Sequence, residues 1–152
     1  GVYGGVGRDP RGRIITVAYL AFISADQQHL LPRTDASEAA WFSADSLPKL
    51  AFDHKEIIRD AVKQLRYEIQ TTNIAIQILP EKFTLSQLQR LYELVLGKQL
   101  DKRNFRKRIR ELSILTETHE TKMEGAHRPA RLYKFVTGRY HPIGEKAHVM
   151  LA

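Results

Sequence analysis

The 152-residue sequence contains no cysteine. This absence excludes disulfide bonds, thiolate zinc sites and catalysis by a thiol nucleophile. Long apolar runs are missing too, because the longest, over residues 14–23, falls short of the roughly 18 residues that a membrane-spanning helix needs. We therefore expect no membrane partner, and the lack of cysteine is compatible with the cytoplasm.

Common catalytic and cofactor motifs are absent as well. No G-x-S-x-G, Walker or G-x-G-x-x-G motif occurs in the sequence. The histidines never take a metal-ligand spacing with one another; they are His29, His54, His119, His127, His141 and His148. The sequence therefore predicts no metal, no cofactor and no catalytic residue in this chain.

Positive charge is concentrated in the second half of the chain. Residues 1–79 carry nine Lys/Arg and nine Asp/Glu, whereas residues 80–152 carry fifteen and eight, so the net charge of +7 lies in the second part. This asymmetry indicates two functional parts, the second with a polyanionic partner such as nucleic acid. Charge alone leaves open the alternative that a basic surface only aids solubility.

The first half is predicted to contain two strands and a helix. Residues 14–23 and 38–42 are mostly apolar and contain β-branched or aromatic residues, which favours strands, the first of them covered on both faces. Apolar spacing predicts a helix over residues 54–69, with Asp53 as its N-cap. Residues 71–80 are expected to form a short helix or an extended linker at a domain boundary.

The second half has the outline of a winged helix-turn-helix. Thr84 is predicted to begin a helix as the N-cap of a capping box, and Gly97 to end it. A short turn leads to Asp101, which caps a second, strongly basic helix. Two predicted strands over residues 114–120 and 131–136 follow and would form the wing.

The basic helix over residues 101–112 has an apolar stripe of Phe105, Ile109 and Leu112 opposite its basic side chains. In isolation such a helix is more often a solvated surface, but its place between a first helix and a hairpin favours DNA. In the major groove Arg reads guanine and Asn reads adenine, and wing arginines reach phosphates or the minor groove. The predicted DNA contacts are Arg103, Asn104, Arg106, Lys107 and Arg110 in the helix, and Arg128 and Arg131 in the wing.

The N-terminal segment GRDPRGR combines glycine with arginine, a composition that suits a phosphate-bearing ligand. An ordinary solvated turn is the alternative interpretation. His54 follows the predicted N-cap and is a candidate to orient such a ligand. The candidate ligand-binding residues are Arg8, Asp9, Arg11 and His54.

Two groups of motifs resemble known families. GRDPRGRIITVAYLAFI and EAAWFSADSLPKLAFDHKEII resemble the C-terminal half of a Nudix domain of the ADP-ribose pyrophosphatase kind. FTLSQLQRLYELVLGKQLDKRNFRKRIREL and RPARLYKF resemble the winged-helix domain fused to it in NrtR-type Nudix-related transcriptional regulators. The resemblance implies an α+β fold: a partial Nudix α/β/α sandwich over residues 1–72, a winged helix-turn-helix over 73–140 and a C-terminal tail over 141–152.

The resemblance also implies a function, that of a DNA-binding repressor of NAD- or sugar-metabolism genes. In that family the regulator binds operator DNA as a dimer, and a nucleotide such as ADP-ribose in the Nudix domain releases the DNA. We therefore expect double-stranded DNA, a nucleotide-sugar effector and a second copy of the chain as partners. The alternatives are a fragment of a Nudix hydrolase that acts on ADP-ribose and a basic protein-interaction module.

One departure from the family concerns catalysis. The Nudix box, G-x5-E-x7-R-E-U-x-E-E-x-G-U, does not occur in this sequence, and its glutamates bind the Mg²⁺ used for pyrophosphate hydrolysis. In the family the box lies upstream of Gly1, so we expect a missing N-terminal segment, and a role for Mg²⁺ only if that segment carries the box. Apolar surface around Val17, Tyr19 and Ala21 would then be uncovered, and is expected to pair with a partner chain or to leave the fold marginally stable.

Overall fold

The computed structural model describes residues 1–22, 39–123 and 129–136. Packing divides the chain into two compact units, Gly1–Gln64 and Leu65–Ala152. The expected C-terminal tail over residues 141–152 lies outside the described residues, as do the last residue of the first predicted strand and the first residue of the second.

The first unit has little regular structure in its described part. β1 (Val2–Tyr3) and β2 (Thr16–Val17) form an antiparallel ladder in which Val2 pairs with Val17. The ladder is short because Gly4 and Gly5 follow β1 directly, and glycine weakens a strand. The long strand predicted over 14–23 is therefore wrong in extent, and residues 39–42 form no strand.

The prediction that the first strand is covered on both faces is also wrong within the described residues. Val17 is 52% exposed and Tyr19 is 92% exposed. Ala21 is exposed as well. This agrees with the expectation that apolar surface lies open around these three residues.

A single helix, α1 (His54–Thr71), crosses from the first unit into the second. It begins at the predicted residue and ends two residues later than predicted. Its amphipathic pattern buries Ile69 completely and leaves Ile57 and Leu65 half-buried. The helix forms here because its apolar residues recur at helical spacing on one side.

The second unit is a winged helix. Its strands form one antiparallel sheet in the order β3-β5-β4, and Phe83 of β3 pairs with Tyr133 of β5. Both hairpin strands and both helices lie where the sequence predicts them, and residues 71–80 contain a short helix, which was one of the two predicted alternatives. The elements are α2 (Ala75–Ile78), β3 (Phe83–Thr84), α3 (Leu85–Leu96), α4 (Lys102–Glu111), β4 (Leu115–Lys122) and β5 (Ala130–Phe135).

The core of the second unit is built from aromatic pairs between these elements. The rings of Phe83 and Phe135 join β3 to β5 with centroids 5.0 Å apart. The rings of Tyr92 and Phe105 join α3 to α4 at 5.4 Å in an edge-to-face arrangement. All four residues are buried, and burying each such side chain stabilises the fold by about 1.5–3 kcal/mol. The two helices are thus fixed against each other by contacts made inside the unit.

Candidate nucleic-acid interface

The helix caps that position α4 are those that the sequence predicts. The Thr84 hydroxyl accepts a hydrogen bond from the Gln87 amide at 3.1 Å, and the Gln87 side chain accepts one from the Thr84 amide at 2.8 Å. Gly97 ends α3 with a φ of 69°, the left-handed conformation that glycine adopts without strain. The Asp101 carboxylate accepts from the Asn104 amide at 2.8 Å and begins α4.

The turn between α3 and α4 is clamped by two side chains of α3. The Glu93 carboxylate accepts hydrogen bonds from the Leu100 amide and from the Gln89 side chain, each at 3.0 Å. The same Gln89 side chain donates to the Leu100 carbonyl at 2.9 Å. The Leu100 amide and, secondarily, Gln89 hold the pKa of Glu93 below its usual value. The turn therefore has a defined geometry, which the sequence did not reveal.

α4 presents opposite faces to the core and to solvent. Phe105 and Ile109 are buried, whereas Arg103 and Arg110 are exposed on the other side. Neither of these two guanidinium groups bonds to any described residue, and the exposed Asn104 side chain makes no bond within the same ranges. Two cations and an amide are therefore available on a rigid helix for an outside partner.

The C-terminal half of α4 contains weak ion pairs. Lys107 lies 4.0 Å from Glu111, and Arg108 lies 3.7 Å from the same carboxylate. All three side chains are largely exposed, and such surface pairs contribute little stability. Lys107 is thus able to leave Glu111 for a stronger anion.

Arg106 has a different environment from its neighbours. Its side chain turns towards α3, where a terminal nitrogen donates to the Ser86 hydroxyl at the long distance of 3.5 Å. The Nε atom is buried and has no hydrogen-bond partner among the described residues. The structure therefore places this predicted DNA contact at the border of α4 with α3, at the edge of the face that Arg103 and Arg110 expose.

The wing is the β4–β5 hairpin. Arg131 extends from β5 and pairs with Glu117 of β4 at 2.7 Å while remaining exposed. The pairing register shifts between Glu117 and Thr121, and His119, inside this bulge, has a φ of 61°. Such a bulge bends and twists a strand. Arg128, the other predicted wing contact, lies outside the described residues.

Arg8, a predicted ligand contact in the first unit, is occupied by internal bonds. Two of its nitrogens bind the Asp53 carboxylate at 2.6 and 2.7 Å, and the third donates to the Thr16 hydroxyl at 2.9 Å. This guanidinium holds the pKa of Asp53 below its usual value. The Asp53 backbone carbonyl accepts from the Glu56 amide at 2.9 Å and from the Ile57 amide at 3.2 Å, so Asp53 stands directly before α1 while its carboxylate bonds to Arg8.

Of the other three candidate ligand residues, Arg11 and His54 contact Phe52, and Asp9 bonds to Arg11. The Asp9 carboxylate accepts from the Arg11 side chain at 2.7 Å and from its backbone amide at 3.0 Å, and these bonds lower the pKa of Asp9 to about 2. The Arg11 guanidinium lies 4.9 Å from the centre of the Phe52 ring. The His54 ring meets the same ring edge-on at 5.9 Å.

Sequence reasoning missed Phe52 and Asp53 as members of this cluster. Asp53 was assigned only to the helix cap, and Phe52 was not a candidate. Both residues directly precede His54 in the sequence, and this proximity to a candidate ligand-binding residue could have identified them. Phe52 has a φ of 49°, an uncommon conformation for a bulky residue.

Within residues 1–22, 39–123 and 129–136, no three acidic or histidine side chains converge as a metal would require. None of the helices described in these ranges has the length and apolarity needed to cross a membrane.

Comparison with known proteins places the winged helix in a sequence family. Residues 75–135 match the family described as the NrtR DNA-binding winged helix domain. The match begins at the first residue of α2 and ends at the last residue of β5.

Two curated relatives overlap the chain. It is 37% identical over 140 residues to an ADPR responsive transcriptional repressor NtrR of Acinetobacter baylyi, covering 90% of this chain and 55% of the relative. It is 41% identical over 63 residues to an ADP-ribose pyrophosphatase of Methanocaldococcus jannaschii, covering 41% of this chain and 36% of that enzyme. The chain thus spans about half, or less, of the length of the curated relatives that it matches.

Solved structures resemble the whole described fold. The chain superimposes on Shewanella oneidensis NrtR complexed with a 27mer DNA with a TM-score of 0.70 at 27% identity, covering 99% of this chain and 65% of that one. It superimposes on Shewanella oneidensis NrtR alone with a TM-score of 0.69 at 32% identity, covering 89% and 62%. Residues 75–135 therefore match the NrtR DNA-binding winged helix domain, within a chain that resembles NrtR-type Nudix-related regulators.

Proposed function

We propose that this protein is a sequence-specific transcriptional repressor that places α4 in the major groove of operator DNA. The observation that carries the proposal is the exposed face of α4, where Arg103, Asn104 and Arg110 make no side-chain bond to any described residue. A major groove admits one helix, and these residue types read guanine and adenine. Buried Phe105 and Ile109 hold this helix in place from behind.

The wing and the remaining basic residues complete the proposed interface. Lys107 is held only by a distant carboxylate, and Arg131 is exposed beside Glu117. Arg128 belongs to the proposed contact set on sequence grounds alone. The match of residues 75–135 to a DNA-binding domain and the likeness to an NrtR chain complexed with DNA support this arrangement. A homodimer on double-stranded DNA is part of the proposal, because two copies would read two half-sites.

The first unit is the proposed sensor, with ADP-ribose or a related nucleotide-sugar as effector. The Acinetobacter relative is a repressor responsive to ADPR, which supports this choice. Within the cluster, Arg11 and His54 flank an aromatic ring, whereas the guanidinium of Arg8 is fully used by Asp53 and Thr16. We assign direct ligand contact to Arg11 and His54, and a supporting role to Arg8 and Asp9. The regulated genes are proposed to be those of NAD or sugar metabolism.

A second candidate function is hydrolysis of ADP-ribose. The 41% identity to an ADP-ribose pyrophosphatase over 63 residues favours it. The Nudix box does not occur in this sequence, and without its glutamates Mg²⁺-dependent hydrolysis lacks its metal site. Incubation of the chain with ADP-ribose and Mg²⁺, followed by chromatography for AMP, separates the two functions. Absence of AMP agrees with the repressor.

The test of DNA recognition is an Arg103→Ala/Lys107→Ala double variant. A duplex is first selected from a random pool with the unaltered protein. Loss of a base-reading arginine costs about 1–3 kcal/mol, so affinity for the selected duplex should fall by at least about fivefold in a gel-shift titration. Lys55→Ala/Lys63→Ala is the matched control, since it removes two exposed positive charges from α1. Unchanged affinity of the first double variant would refute the role of α4.

A further inference from the structure

The side chain of Arg106 is distinct from the rest of the proposed DNA-reading face. On a helix with 3.6 residues per turn, Arg106 lies about 60° from Arg103 and about 60° from Ile109. It therefore occupies the border between the exposed face and the buried face of α4. Its guanidinium is directed to Ser86, the second residue of α3, and that serine is itself exposed.

The bonding of Arg106 in the free protein is incomplete. A guanidinium is always charged and presents five N–H donors. One terminal nitrogen has a long bond of 3.5 Å to the Ser86 hydroxyl, and Nε is buried without a partner among the described residues. A buried donor left unsatisfied destabilises a protein, which is why native proteins nearly always pair such groups. The terminal nitrogens, with only this one long bond to Ser86 among the described residues, thus have capacity for an added anionic acceptor.

We propose that Arg106, oriented by Ser86, binds a phosphate of the DNA backbone and not a base edge. The inference rests on the proposed function, because it requires α4 to lie in the groove. When a helix fills a major groove, its central face meets the bases and its borders meet the phosphate walls. Arg106 is on such a border, and the nearby Ser86 hydroxyl supplies a second donor to the same phosphate. Arg103, Asn104 and Arg110 are left to read bases.

This assignment has consequences that differ from those of a base contact. A phosphate contact carries no sequence information, so its loss weakens binding to every duplex by a similar factor. It also removes one released counterion, which reduces the slope of log affinity against log salt by about 1. A base contact would instead change which sequence is preferred.

The experiment uses the full chain with an Arg106→Gln substitution. Affinity is measured between low and moderate salt for the pool-selected duplex and for a scrambled duplex. We expect the same fold-loss on both duplexes and a slope smaller by about 1. Arg108→Gln is the matched control, because it removes the same charge from the opposite side of α4, where Arg108 pairs with Glu111. The control should keep the original slope.

Three additional measurements guard against an effect on folding alone. Arg106→Lys keeps the charge and is expected to restore the salt slope, and Ser86→Ala should weaken binding without changing that slope. Replacing phosphates of the selected duplex one at a time with neutral methylphosphonates should identify a position where the unaltered protein loses affinity and Arg106→Gln loses none.

The outcomes are distinguishable. A changed sequence preference with an unchanged salt slope would make Arg106 a base reader and overturn the inference. Unchanged affinity and slope would leave it a packing residue and overturn it equally. If the unaltered protein binds no duplex at any salt concentration, the proposed function fails, and the inference fails with it.

Discussion

Two arginines of the first unit keep two aspartates ionised, and neither pairing follows from residue type alone. Asp9 is bound by its near neighbour Arg11, whereas Asp53 is bound by Arg8 from 45 residues away in the sequence. The first pairing is local and the second depends on the fold. Both lower the pKa of the carboxylate.

The depressed pKa of Asp9 leads to a prediction for acid stability. Its value of about 2 in the folded protein lies below the unperturbed value of about 3.9. The Arg11 pairing therefore contributes stability that is fully present above about pH 4 and is lost as the pH falls towards about 2. The midpoint of urea unfolding should decrease over this range in the unaltered protein.

Asp9→Asn should flatten this decrease, because asparagine does not ionise. The control is Asp45→Asn, which removes an exposed carboxylate elsewhere in the same unit. Equal pH dependence in Asp9→Asn and the unaltered protein would contradict the role of this pair.

At the scale of elements, the sequence predicted the parts that are locally encoded. Thr84, Gly97 and Asp101 act as predicted, because a cap needs only its own side chain and the next few amides. β3 was missed because two residues show no periodicity, and its pairing with β5 depends on residues about 50 positions away. The bulge at His119 was missed for a similar reason, since register is a property of two strands and not of one.

The clamp on the turn leads to a prediction about how α4 is positioned. Glu93→Ala removes an acceptor from the Leu100 amide and from Gln89. Removing a negative charge should by itself strengthen DNA binding. We expect weaker binding instead, because a loosened turn lets α4 leave the orientation that its contacts require, and a misplaced contact of this kind costs about 1–3 kcal/mol.

Gel-shift titration checks this prediction, with circular dichroism to confirm that α3 and α4 remain helical. Glu81→Ala is the matched control, since it removes an exposed carboxylate from the same unit, and it should bind DNA slightly more tightly than the unaltered protein. Equal or tighter binding by Glu93→Ala would show that the clamp does not position α4.

At the scale of the whole molecule, the two units differed in how well their sequences could be interpreted. The winged helix buries its aromatic residues within its own core, so the spacing of apolar residues in its sequence predicts which side chains are buried. The first unit leaves Val17, Tyr19 and Trp41 exposed, so its apolar strand pattern has no covering layer within the described residues. An apolar pattern predicts a buried strand only where other described residues of the same unit pack against it. No such packing buries positions 14–22, so the strand predicted over 14–23 is longer than the strand observed.

The proposed function couples two binding events through one free energy. If ADP-ribose weakens DNA binding by some factor, DNA must weaken ADP-ribose binding by the same factor.

We expect ADP-ribose to release the selected duplex in a gel shift. We also expect it to raise the melting temperature of the DNA-free protein, since a ligand at 100 times its Kd stabilises the folded state by about 2.7 kcal/mol. The only tryptophan, Trp41, lies in the first unit and gives a fluorescence signal for the titration.

Arg11→Ala should abolish the response to ADP-ribose and leave DNA affinity without ligand unchanged, because Arg11 is assigned to the effector cluster and not to the DNA face. Arg13→Ala is the matched control, a neighbouring exposed arginine outside that cluster, and it should respond normally. A fluorescence titration of each variant, with and without the duplex, also yields the reciprocal factor. If ADP-ribose shifts neither the melting temperature nor the fluorescence while the protein still binds DNA, the effector assignment is wrong and the DNA-binding assignment stands.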